Sequence, residues 1–208
     1  MSEPASPRSA PLALWRAARA FLETLFVTFG GPAAIAAQHA FGARTHALIS
    51  AWLSAGEAML RQLLLIEAAA LAPAGAYATP TPAPRTTRHV AFKQVAPLLD
   101  NPESWRVSFR CFAAESGAGG GGGWRERKAA HSVHAAFPIA ARMEAMLRVF
   151  NDPAPFAQRL VRRLLRRPRR ARDLLRKPKP SPHAPRACAE IEGLAPAAEK
   201  ARAVLDTS

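Results

Sequence analysis

Apolar residues return every three or four positions over long stretches of this chain, the spacing of one face of an α-helix. From Leu12 to about Phe29, Leu14, Phe21, Leu22, Leu25 and Phe29 share a face, while Arg16, Arg19 and Glu23 line the opposite strip. A helix is predicted there. Gly30-Gly31-Pro32 predicts its end, because glycine accepts the left-handed C-terminal conformation and proline follows it. Pro32 also suits the first turn of a second helix, whose pattern runs to about Leu71 with a break at Gly42. From Arg44 onward, Ser50, Ser54, Glu57 and Arg61 fall on one narrow strip. Leu48, Trp52, Met59, Leu63 and Ile66 line one apolar flank, and Leu53, Leu60 and Leu64 another. So wide an apolar surface predicts burial on most sides, inside a bundle or against a second copy of the chain.

The period changes further on. Trp105, Val107, Phe109 and Cys111 alternate with Arg106, Ser108 and Arg110, which predicts a strand. A lone strand leaves its backbone unpaired, so His89 to Val95 is the expected partner, with a strand from another subunit as the alternative. Helical spacing resumes at Pro138, where Ile139, Met143, Met146, Leu147 and Phe150 form a stripe. Asn151-Asp152-Pro153 supplies a turn, a cap and a first-turn proline for the next helix. There Phe156, Leu160, Val161, Leu164 and Leu165 share one face, so the two helices are expected to form a helical hairpin. A short further turn is expected around Ala171 to Leu175, and a weak helix near Pro196 to Leu205.

Between these elements the composition turns to breakers. Residues 1–11 read as a flexible arm, 12–72 as an N-terminal helical region and 73–88 as a Pro-rich linker. Residues 89–175 read as a mixed, then helical, basic region with a Gly-rich loop at 117–123, and 176–208 as a largely disordered tail. The fold class expected is therefore mostly α: a helical bundle or helical hairpins with at most one short strand pair, Pro- and Gly-rich linkers and a disordered tail.

Charge changes the picture most. The formal net charge is +14, from 29 Lys and Arg against 15 Asp and Glu. It is not spread evenly. Arg159, Arg162, Arg163, Arg166, Arg167, Arg169, Arg170, Arg172, Arg176, Lys177 and Lys179 face only Asp173 in their stretch, which carries +10, whereas residues 1–72 net +1. Such a run favours anionic partners. The arginines from Arg159 to Arg172 are the candidate anion-binding residues, because a guanidinium fork matches phosphate oxygens.

No other chemistry stands out. Cys111 and Cys188 lie far apart and fit neither a disulfide framework nor a zinc pattern. His131 and His134, or His39 and His46, could share helical faces, but a metal needs three or four ligands. No metal and no cofactor is expected. There is no Gly-x-Ser-x-Gly elbow, and no Lys-Ser or Lys-Thr follows the glycine run to make a phosphate loop. Leu12 to Phe29 comes nearest to a membrane span but carries Arg16, Arg19 and Glu23.

The expectation is a non-enzymatic, cytoplasmic protein that binds nucleic-acid phosphates without sequence specificity. The alternatives are peripheral association with an anionic membrane or an acidic protein through the basic amphipathic helix, or a structural protein with no dedicated anionic ligand. The 44–72 helix is the expected surface for homo-oligomers, and no small-molecule substrate is predicted.

Overall fold

The computed structural model describes residues 9–72, 101–109, 111, 133–166, 170–175 and 193–207. The Pro-rich 73–88 segment, the 89–95 strand candidate, the 117–123 glycine run and residues 176–192 of the expected tail lie outside the described residues.

Helix α1 spans Leu12–Phe29 and ends at Gly30, whose φ of 83° and ψ of 176° lie in a region nearly closed to side-chain-bearing residues. Pro32 then opens the short helix α2, Pro32–Ala37. The expected break near Gly42 is a strand, β1, over Ala40–Gly42. Helix α3 follows as the longest element, Ala43–Leu71. After Val133–Ala135 (β2) come α4 (Phe137–Asn151), α5 (Ala154–Arg166), α6 (Ala171–Leu174) and α7 (Leu194–Thr207). The fold is mostly helical, with one two-stranded antiparallel sheet among the described residues.

Helix α3 is the axis of the molecule. Helices α1, α4, α5, α6 and α7 all pack against it, while α2 packs on α4. Both apolar flanks of α3 are consumed this way: Leu53, Leu60, Leu63, Leu64 and Leu65 have no exposed surface. Leu48, Trp52 and Ile66 of the same helix remain half-buried. Side chains of the N-terminal helices and of α4 to α7 join one hydrophobic cluster.

Two expectations are corrected. Residues 105–109 and 111 make no ladder. Trp105 and Cys111 are buried, Val107 and Phe109 half-buried, and Arg106 and Ser108 exposed, so the alternation marks an extended segment laid on the helices. Trp105 anchors it edge-on to Phe137, with centroids 5.1 Å apart, and Arg148 donates to the carbonyls of Pro102 at 2.7 Å and Glu103 at 3.1 Å. The strand pair instead joins β1 to β2, with Phe41 opposite His134. Helices α4 and α5 both dock on α3 rather than chiefly on each other, because α3 offers the larger apolar surface. The helix expected near Pro196 to Leu205 is present as α7, Leu194–Thr207. Leu194, Ala198, Ala201 and Leu205 recur at helical spacing and are buried, in part against α3.

Ser9 and Ala10 are held against the end of α3. Ala10 is buried, and the amides of Ser9 and Ala10 donate to the Glu67 carboxylate at 2.8 and 3.1 Å.

Candidate functional site

Helix α5 divides by charge around its circumference. Ala157, Leu160, Val161 and Leu164 are buried against the core, and Arg159, Arg162, Arg163 and Arg166 are exposed. At 3.6 residues per turn those four arginines lie within roughly 100° of the circumference and span about 10 Å along the axis. Arg163 and Arg166 occupy the last turn, where the helix dipole favours cations.

Elsewhere five of the described arginines are paired with carboxylates. Arg19 meets Glu23, Arg61 and Arg142 meet Glu57, Arg148 meets Glu144 and Arg202 meets Glu199, all within 3.2 Å. None of the four α5 arginines has a carboxylate partner among the described residues. Arg159 is fixed in place by donating to the Pro155 carbonyl at 3.1 Å, with its guanidinium 4.5 Å from the centre of the Phe156 ring. Of the remaining candidates, Arg170 is half-buried and Arg172 sits on α6 beside the Glu199–Arg202 pair. Arg167 and Arg169 lie outside the described residues. Of the six described candidates, the four on α5 share one helix face.

Beside the arginine face lies a cleft of about 330 Å³. Phe156, Arg159, Leu160 and Arg163 make one wall, at the i, i+3, i+4, i+7 spacing of a single helix stripe. Val107, Ser108 and Phe109 of the extended segment make the other, with Cys111 and Arg148 completing the lining. Sequence reasoning missed this cleft, since its walls come from segments some fifty residues apart in sequence. Burial pushes the Cys111 thiol above its ordinary value, against the pull of Arg163, Arg61 and Arg159 and a backbone hydrogen bond. The thiol stays protonated at neutral pH and is a poor nucleophile.

A second polar cluster is structural in form. The Glu57 carboxylate accepts from Arg61 at 3.2 Å and from Arg142 at 2.8 and 3.2 Å, and Arg142 also donates to Ser54. Both carboxylate oxygens are engaged, which leaves Glu57 poorly placed as a base. Nearby, the His46 and His134 rings stack with centroids 4.3 Å apart. Desolvation lowers the pKa of His46, and the His134 and Arg142 charges lower it further. Among the described residues no group of three or more metal-ligating side chains converges.

For a membrane, the apolar face of α5 is already committed to the core, so α5 could not insert without leaving it. Leu12–Ala37 is long and apolar enough to cross a membrane by length and composition, and 33% of its most apolar window is buried. Val27, 89% exposed, and Phe26 form an apolar tip at the end of α1.

The chain matches no protein-family model, no curated protein and no solved structure.

Proposed function

We propose that the α5 face is a phosphate-binding surface through which the protein holds nucleic acid without reading its sequence. The observation that carries this reading is the set of four exposed guanidinium groups, Arg159, Arg162, Arg163 and Arg166, with no carboxylate among the described residues to neutralise them. A duplex presents about one charge per 1.7 Å of axis, so a face about 10 Å long spans several phosphates. No base-reading motif accompanies the arginines, so affinity would come from counterion release and be sequence-tolerant.

Because α5 belongs to the core, deleting it would test folding and not binding. Charge reversal at exposed positions isolates the surface. Fluorescence anisotropy of a labelled 20-base-pair duplex, titrated with salt, is the measurement. Four phosphate contacts predict a log–log slope of roughly −3 to −4. Arg162→Ala and Arg166→Ala should each weaken binding on all sequences alike and make the slope about 1 shallower. R162E/R166E should abolish binding near physiological salt. Binding that ignores these changes would remove α5 as the surface.

A second reading is peripheral association with an anionic membrane, which the exposed Phe26–Val27 tip favours. Co-sedimentation with phosphatidylserine vesicles that is lost in F26S/V27S, without oligonucleotide binding, would select it.

A further inference from the structure

The cleft beside α5 has a composition that phosphate binding alone does not require. Its lining is apolar and polar in about equal measure, with Val107 and Phe109 on one side and Phe156 and Leu160 on the other supplying the apolar and aromatic part. Its charged residues are Arg159 and Arg163, which also belong to the phosphate face, and Arg148, which is paired with Glu144. No described residue lining it is acidic. Aromatic side chains set beside cations fit a flat, apolar-faced group joined to an anion.

We propose that this cleft seats a single unpaired nucleotide, its base against Phe156 and the Arg159 guanidinium and its phosphate on Arg163. The inference rests on the phosphate-binding reading of α5 and makes it specific: the preferred ligand is single-stranded. Three features support it. The Arg159–Phe156 stack, at 4.5 Å, presents a planar guanidinium, and bases stack on guanidinium planes as they do on aromatic rings. The volume of about 330 Å³ lies at the small end of ligand sites, the scale of one mononucleotide, far too narrow for a duplex. A paired base is held inside its own stack, so only a single strand can offer one without unpairing.

The same chemistry could arrive on a strand or as a free nucleotide, and the test separates them. Full-length protein is titrated against a labelled single-stranded 20-mer, the corresponding duplex and AMP. Two variants alter the cleft. Phe156→Leu removes the ring while keeping apolar bulk, and Ser108→Trp fills the opening from an exposed position. Thermal melting checks that both fold. Wild type should prefer the single strand over the duplex by about tenfold, the scale of one stacked base. Both variants should erase that preference. S108W should leave duplex affinity and salt slope unchanged, and Phe156→Leu, which frees the Arg159 guanidinium from the ring, should leave the duplex salt slope unchanged.

Equal affinity for strand and duplex, unaltered by either variant, would overturn the cleft proposal and leave the phosphate face standing. If no strand or duplex binds but AMP raises the melting temperature of wild type and not of S108W, the face reading fails. The cleft then serves a free nucleotide. If neither AMP nor any strand binds, both are overturned.

Discussion

The indole N–H of Trp15 donates to the carboxylate of Glu67 across 52 residues of sequence, at 3.1 Å. Both side chains are buried, at 1% and 6% exposure. The same carboxylate accepts the Ser9 and Ala10 amides, so one acidic group fastens the entry of α1 to the end of α3. A buried carboxylate is tolerable only when its oxygens are satisfied, and three N–H donors do that here.

Glu67→Gln would place amide hydrogens against donors already pointing at the site. The expected loss is about 2 kcal/mol, the scale of hydrogen bonds to a charged group. Urea unfolding checks it: the midpoint should fall with the slope unchanged. A midpoint within experimental error of wild type would mean that the tether adds nothing.

Gly56 sits in α3 where a methyl group would run into the ring of Phe21 and the terminal methyl of Met146. At an open helical site Gly→Ala gains about 1 kcal/mol. Here overpacking should reverse the sign, giving a loss of about 1–3 kcal/mol. A higher melting temperature for G56A would show that α1 and α4 give way easily.

Glu57 joins α3 to α4 through Arg142, with side-chain exposures of 18% and 35%. A double-mutant cycle with Glu57→Gln and Arg142→Ala should return a coupling of about 1–2 kcal/mol, below that of a fully buried pair because water reaches Arg142. Zero coupling would mean that the bridge is replaced at no loss.

The His46–His134 stack makes stability depend on pH. Burial, His134 and Arg142 hold the His46 pKa below its ordinary 6.5 in the folded state. The unfolded chain therefore takes up the proton first, so stability is full above pH 6.5 and declines as pH falls through and below it. Thermal melts between pH 8 and 5 should show that decline, and His46→Gln should flatten it. A decline identical in the variant would assign the dependence to other groups.

The helices themselves were legible in the chain. Gly30-Gly31-Pro32 stops α1 where its pattern ends, and the Asp152-Pro153 turn separates α4 from α5. Helical hydrogen bonds run four residues back, so periodicity and caps within one segment suffice to specify them. The split of α5 into an apolar and an arginine face is equally local.

What sequence could not supply was partnership. The alternation from Trp105 to Phe109 separates inward from outward side chains, yet an extended segment packed on helices carries the same period as a strand. The real ladder, Ala40–Gly42 with Val133–Ala135, is three residues on each side and too short for a periodic signal. Which arginines lack a carboxylate, and that Phe109 comes to rest near Phe156, depend on contacts between distant segments. The sequence by itself determined the helices and the sign of their faces, because those interactions are local. Only the tertiary structure decided that α3 would be buried by its own chain and that a cleft would open beside the arginines, because packing is settled between segments.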